Sequence, residues 1–300
     1  MRIGFLGSGA VGCWFGGRLA ECGYDVTMIG RGATYDALRR RGIQINDEAP
    51  KEVRVARSVA EAGPLDIVVL AVKVTADTCV ARLLEGIGPD TVVAVTQNCV
   101  ETPYLVADVV GQHRTWPGVI RGYLHHTGPA AVEYHGGPTS HTFGTWDGQH
   151  SELAAAFAGA INASGNEGIY HPAIFEDVWE KAMFVSSSGA LGALVDKPLG
   201  YLRADLRSTF EGVMAEIYRV GVAAGAPLRD DAVARVMDFA DRMPQDVTTS
   251  MQRDLKAGMA PSETELDAQV TAISRIGRAH GVDTPILDLC AQQVRQRHLG

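Results

Sequence analysis

A chain of 300 residues is long enough for two domains of ordinary size or for one large α/β domain. Its apolar fraction of 46% and charged fraction of 21% fit a folded globular protein, and no apolar run approaches the ~18–20 residues of a spanning helix. The formal net charge of −8, from 27 basic and 35 acidic residues, argues against nucleic acid or an anionic membrane as partner.

In chain order, Arg2–Leu6 predicts a strand, Ala10–Cys22 a helix and Asp25–Ile29 a second strand. Glycines at 4, 7, 9, 12, 16 and 17 break any signal-peptide core at this end. Asp66–Val72 and Thr91–Thr96 are nearly continuous β-branched runs, the pattern of strands buried on both faces. Strands separated by helical segments imply βαβ units and a parallel, doubly wound sheet. The glycine- and histidine-rich stretch Gly118–Gly148 reads as later, less regular strands of that sheet. From Pro172 onward helical periodicity takes over, over Pro172–Ser187, Leu206–Ala224, Asp230–Asp241, Ser262–His280 and Pro285–Arg297. The candidate boundary is Asn162–Ile169, giving an α/β domain at 1–168 and an all-α domain at 169–300.

Five scattered cysteines, at 13, 22, 79, 99 and 290, show no C-x-x-C spacing, which excludes a disulfide framework and fits a reducing cytoplasm. Only 5 of the 27 basic residues are lysines: Lys51, Lys73, Lys181, Lys197 and Lys256. A lysine in so arginine-rich a chain calls for a reason.

Gly7-Ser8-Gly9-Ala10-Val11-Gly12 fits G-x-G-x-x-G, and it follows a strand, opens a helix and precedes a second strand. In that context Gly7 permits the tight turn, Gly9 lets a pyrophosphate approach the backbone, and Gly12 lets the helix pack close to the sheet. The helix start supplies N–H groups and partial positive charge to the phosphates. A mere tight turn is the alternative. The second strand runs into Gly30-Arg31, where an NAD site would carry Asp or Glu. Arg31 can pair with a 2′-phosphate, which favours NADP(H) over a solvated surface arginine.

Lys73 ends the run Ile67–Val72 and so is aimed at the crevice beyond the strand ends, and Asn98 holds the equivalent place after Thr91–Thr96. Both also read as ordinary loop polarity. Lys181 continues the helical stripe Ile174, Val178, Val185, so it either snorkels or is held for proton transfer. Glu265 closes Ser262-Glu263-Thr264-Glu265, an S-x-x-E capping box that accounts for it without chemistry. His125, His126, His135 and His141 lack H-E-x-x-H or other ligand spacing and read as loop residues, so no metal is expected.

Taken with Gln97-Asn98, Val178-Trp179-Glu180-Lys181, Ser250-Met251, Asp254, Thr264-Glu265, Asp267, Arg278–Val282 and Thr284-Pro285, the chain resembles the ketopantoate reductase family. The resemblance spans most of its length. It implies a Rossmann domain followed by a helical domain like the C-terminal one of 6-phosphogluconate dehydrogenase. It also implies NADPH reduction of a 2-oxo acid in the cleft between the domains. By resemblance Lys181 matches the catalytic proton donor, and Glu265 the acid that orients cofactor and substrate. Ser250 matches a substrate-carboxylate contact, and Lys73 and Asn98 match cofactor-side contacts, Asn98 reaching the substrate as well. A homodimer is the expected assembly.

The departures matter as much. The family carries asparagines four and eight residues after its lysine, where this chain has Val185 and Gly189. An asparagine-glycine pair after the acid is here Val270-Thr271, and Asn98 is followed by Cys99 instead of glycine. Gly189 leaves space and Val185 offers an apolar wall, so a ketopantoate hydroxyl would lie unpaired at about 1–3 kcal/mol. The expected substrate is a less polar carbonyl compound. Imine reduction on the same fold and a non-catalytic NADP(H)-binding sensor are the alternatives.

Overall fold

The computed structural model describes residues 1–297 and divides into two compact units. Unit 1 comprises Met1–Lys73, Cys79–Gln97 and Thr102–Ile174. It begins β1 (Arg2–Leu6), α1 (Ala10–Glu21), β2 (Asp25–Ile29) and α2 (Gly32–Arg41). Next come β3 (Gln44–Ile45), β4 (Arg54–Ala56), α3 (Val59–Ala62), β5 (Ile67–Leu70), α4 (Val80–Leu83) and β6 (Val92–Val95). It continues with α5 (Thr102–Val110), β7 (Thr115–Trp116), β8 (Gly118–Arg121), β9 (Leu124–Gly128), β10 (Ala131–Tyr134) and β11 (Ser140–Phe143). The last elements of this unit are α6 (Glu152–Ala163) and β12 (Glu167–Tyr170).

The main sheet has the order β4-β2-β1-β5-β6-β7 and is parallel throughout. Chain order reverses between β1 and β5, the switch point at which open α/β sheets bind ligands. β5 and β6 are buried along their whole length, which is why their sequences are β-branched runs without alternation. Ile3, Phe5 and Ile67 pack with Phe15 of α1 into one layer, while Leu6, Val68 and Val93 pack with Val106 of α5 into another.

The strands of Gly118–Gly148 are real, but they do not extend the main sheet. They form two separate three-stranded sheets, β3-β10-β9 and β12-β11-β8. Their central pairs β9–β10 and β8–β11 are antiparallel, a nonlocal arrangement that short glycine-broken runs do not announce. The candidate boundary Asn162–Ile169 falls inside unit 1, ending α6 and forming most of β12.

Unit 2 comprises Phe175–Gly300 with the short segments Val74–Thr78 and Asn98–Glu101. Its helices are α7 (Ile174–Val195), α8 (Leu199–Ala204), α9 (Arg207–Ala223), α10 (Ala232–Arg242), α11 (Ser250–Lys256), α12 (Ala272–Ala279) and α13 (Pro285–Arg297). The predicted helix Ser262–His280 is shorter than its periodicity suggests. Pro261–Glu263 is a 3₁₀ turn and Asp267–Thr271 a π turn, so regular α-helix begins only at α12. Among the described residues no helix is long and apolar enough to cross a membrane.

The centre of unit 2 is α9, whose Phe210, Val213, Met214, Ile217 and Val220 are fully buried. Glu216 is buried among them and faces the start of α13, accepting hydrogen bonds from the backbone N–H groups of Ile286 and Leu287 at 3.0 Å each. A buried carboxylate is tolerated here because a helix N-terminus offers donors and partial positive charge. Glu216→Ala should therefore destabilise the protein by about 3 kcal/mol in urea unfolding, because two helix-start N–H groups lose their acceptor. Glu216→Gln, which keeps one oxygen, should lose clearly less.

Candidate functional site

In unit 1 the ends of β1, β2 and β5 meet at the glycine turn. Gly7 N–H donates to Ile29 O at 3.0 Å, and Gly30 N–H donates to Ala56 O at 3.0 Å, locking the turn to the neighbouring strands. Gly7 has φ +109°, and a Cβ there would lie 2.6 Å from Val72 N, so backbone conformation and space both require glycine. A Cβ on Gly12 would lie 1.9 Å from Gly7 O. At Gly9 the space beyond is open. Gly9 is also the N-cap of α1, with no side chain capping the N–H groups of Ala10, Val11 and Gly12, and no acid in the first turn. The Ser8 hydroxyl is buried without a hydrogen-bond partner, beside Gly30. An open cradle, an uncapped helix start and an orphaned hydroxyl fit the pyrophosphate and ribose of a dinucleotide.

Arg31 is exposed and forms the N-cap of α2. Sequence reasoning missed Arg57, which flanks the same turn. It is the first residue after β4, level with Gly30 after β2, with its guanidinium 4.0 Å over the Tyr35 ring and its backbone N–H donating to Glu61 Oε2 at 2.9 Å. Strand pairing and the Tyr35 ring set Arg57 beside the turn into α2 that Arg31 caps, and linear spacing holds no sign of that. Lys73 is exposed beyond β5. The buried side chain of Gln97 fixes the approach to it, donating to Leu70 O at 2.8 Å and Val72 O at 2.9 Å. His126 is held below the usual imidazole range, first by burial and then by the positive charge of Lys73 and His125.

The lysine census resolves in part. Lys51 bridges Glu21 at 2.6 Å and Glu48 at 3.1 Å, Lys256 meets Asp196 at 3.4 Å, and Lys197 lies 5.9 Å from the Tyr201 ring centroid. Surface pairing accounts for these three.

In unit 2, α7 buries Ile174, Val178, Trp179, Ala182 and Met183, whereas Lys181, Phe184 and Val185 are half-buried. The stripe read through Lys181 thus runs off the buried face, and Lys181 stands at its margin instead of inside it. Glu180 beside it is pushed above the usual carboxylate range by burial, with Arg235 at 3.0 Å drawing it back. Gly189 does not leave space: it is buried, and a Cβ there would meet Met251 Cε at 2.8 Å and Thr249 Oγ1 at 3.5 Å. The α7 glycine is the notch into which α11 fits. Ser250, half-buried, opens α11 behind the N-cap Thr249, whose hydroxyl accepts from Gln252 N–H at 3.2 Å.

The capping box read at Ser262–Glu265 does not form. Glu263 reaches back to accept from Ala260 N–H at 3.2 Å, and the 3₁₀ turn carries Glu265 inward, where it is buried and accepts from Gln269 Nε2 at 3.2 Å. Asn98 is half-buried in the segment that unit 2 claims. Its neighbour Cys99 packs with Val74 and Ala268, and Glu101 pairs with Arg275 at 2.7 Å. Asn98 and Glu265 are thereby anchored to the same π-turn region of unit 2.

A parallel sheet carrying this glycine turn at its order reversal is a unit built to hold a nicotinamide dinucleotide. The family model described as "Ketopantoate reductase PanE/ApbA" matches residues 3–148, and the one described as "Ketopantoate reductase PanE/ApbA C terminal" matches 173–298. The chain belongs to the ketopantoate reductase family. The 2-dehydropantoate 2-reductase of Mycobacterium tuberculosis is 29% identical over 301 residues, spanning 96% of this chain and 94% of that protein. The crystal structure of 2-dehydropantoate 2-reductase from Methylococcus capsulatus matches with a TM-score of 0.89 at 24% identity, covering 100% of this chain and 97% of the other. D-mandelate dehydrogenase with NADH and anilino(oxo)acetate shares the fold with a TM-score of 0.84 at 22% identity, covering 99% and 98%.

The Gly189 notch makes a prediction. Gly189→Asn alone should destabilise by about 1–3 kcal/mol, as overpacked cores do. Adding Met251→Ala should recover a large part of that loss. Strictly additive unfolding free energies would show that the two side chains do not compete for one space.

Proposed function

We propose that this chain is an NADPH-dependent reductase of a 2-oxo acid, or a related carbonyl compound, less polar than ketopantoate. The observation that carries this reading is on α7: Lys181 is kept at the margin of the buried face, while one turn on the half-buried position holds Val185 instead of an amide. When bound, the reduced nicotinamide supplies a hydride to the carbonyl carbon. Lys181 gives the proton that the carbonyl oxygen needs as it becomes a hydroxyl. Ser250 holds the substrate carboxylate, Glu265 and Asn98 orient the reacting groups, and the turn Gly7–Gly12 with Lys73 holds the cofactor. Val185 faces the substrate with methyl groups that satisfy no hydroxyl, which disfavours ketopantoate. D-mandelate dehydrogenase, solved with NADH and anilino(oxo)acetate, is a protein of this fold whose name and ligand differ from those of ketopantoate reduction, which supports a substrate other than ketopantoate.

Arg31 and Arg57 support NADPH over NADH. Arg31 stands two residues past β2 and Arg57 one residue past the neighbouring β4, and no carboxylate follows β2 to repel a 2′-phosphate. A homodimer in the cytoplasm completes the proposal; light scattering should return about twice the 32.0 kDa chain mass.

The central test is NADPH oxidation across 2-oxo acids of graded polarity, ketopantoate and a set of imines included. Apolar 2-oxo acids should be preferred. A ketopantoate kcat/KM of about 10⁴ M⁻¹s⁻¹ or more in the wild type would overturn that preference. Cofactor binding without turnover anywhere in the panel would point to a sensor instead. Lys181→Ala should lower kcat by roughly 10²–10⁴-fold with NADPH affinity nearly unchanged. NADPH should bind about tenfold or more tightly than NADH, with Arg31→Asp reversing the order and Arg57→Ala weakening NADPH alone. Val185→Asn should raise relative activity on ketopantoate by on the order of fivefold to tenfold, the worth of one restored hydrogen bond.

A further inference from the structure

The outward face of β9–β10 brings together two imidazoles and a carboxylate that lie far from the glycine turn in sequence. His125 and Glu133 are directly opposed across the antiparallel ladder. His135 N–H donates to Tyr123 O at 3.1 Å, continuing that ladder one pair further. His135 is therefore two residues beyond Glu133 on the same face and diagonal to His125, within reach of a long side chain. Leu124, Val132 and Tyr134 alternate to the opposite face and pack on the core, which fixes the register and hence the three outward positions.

We propose that His125, Glu133 and His135 form a binding site for a borderline transition-metal dication of the Zn²⁺ class. Their ligand atoms lie within 4.8 Å of one another, with His135 Nε2 at 3.9 Å from Glu133 Oε2 and the two imidazole centroids 5.9 Å apart. Tetrahedral coordination with metal–ligand bonds of about 2.0–2.1 Å puts ligand atoms about 3.4 Å apart. Rotation of three exposed side chains closes that difference of roughly an ångström with the backbone held by the ladder. Two nitrogens and one oxygen suit Zn²⁺, Ni²⁺ or Cu²⁺, whereas Ca²⁺ and Mg²⁺ demand more oxygen ligands. β9 is the edge strand of its sheet, so water can fill the remaining coordination position. An ion there would tie the edge strand to its partner by side chains as well as by backbone hydrogen bonds. Linear spacing does not show this arrangement, because the ligands come from two strands joined by a turn.

The test is calorimetric titration of ZnCl₂ into EDTA-stripped full-length protein, with thermal unfolding as second readout. The expected result is one equivalent bound, a rise in melting temperature, and loss of affinity by on the order of tenfold or more in both His125→Ala and His135→Ala. Glu133→Gln should weaken binding too and supplies the same test should a histidine variant fail to fold. His150→Ala is the control: His150 pairs with Glu152 at 2.9 Å on the exposed surface and offers only two ligands. It should leave binding unchanged. Absence of Zn²⁺ binding in the wild type, equal binding in the His125, His135 and Glu133 variants, or loss of binding in His150→Ala would overturn the proposal.

Discussion

Three stretches of backbone touch at the end of β1, and the nucleotide half of the protein depends on that contact. Residue 7 has no room for a side chain because residues 71 and 72 occupy it, and residue 12 has none because Gly7 O occupies it. The contact brings the start of α1 against the point where sheet order reverses, so its free N–H groups point where strands β1 and β5 part. Lys73 follows two residues after Ala71 and inherits its position from the same contact. Gln97, clasping the carbonyls of Leu70 and Val72, holds the end of β5 in place from the neighbouring strand. Substituting either glycine thus disturbs the turn, the helix start and the strand end together, which no single polar contact in the site does.

Unit 2 solves a different problem, the close approach of helices, and again by deleting side chains. Gly189 of α7 receives Met251 of α11, and a Cβ on Gly221 of α9 would meet the Trp179 ring of α7 at 3.0 Å. With its buried face committed on both sides, α7 can present only its margin to a ligand. Lys181 and Val185 occupy that margin, four residues apart and so on adjacent turns of one side. A long amphipathic side chain is suited to such a place, since its stem packs while its ammonium reaches outward.

The main sheet and glycine turn could be read in the sequence because they obey local rules: continuous β-branched runs, and a glycine string between a strand and a helix. The small sheets could not be placed, because their partners are chosen by nonlocal pairing, including β3 with β10 across 85 or more residues. Arg57 was invisible for the same reason, since the β2–β4 ladder brings it to the turn after β2. At Glu265 two glutamates competed for one capping role two residues apart, and Glu263 took it. Propensity cannot separate such neighbours; the 3₁₀ turn does. Gly189 misled in another way, because an absent side chain reads as space until its neighbour is known.

The departures from the family pattern differ in how far packing engages them. Val270 is fully buried, Cys99 packs with Val74 and Ala268, and Gly189 is filled by Met251, so each is bound up with core packing. Thr271 is half-buried, and its hydroxyl accepts from Arg295 at 2.6 Å, a contact that engages it within the helical unit. Polar side chains at the buried positions would cost desolvation unless partners were rebuilt around them. Met251 and Cys99, soft and adaptable, fill irregular gaps at two of these places. Val185 stands apart because it is half-buried beside Lys181 and none of these packing contacts consumes it.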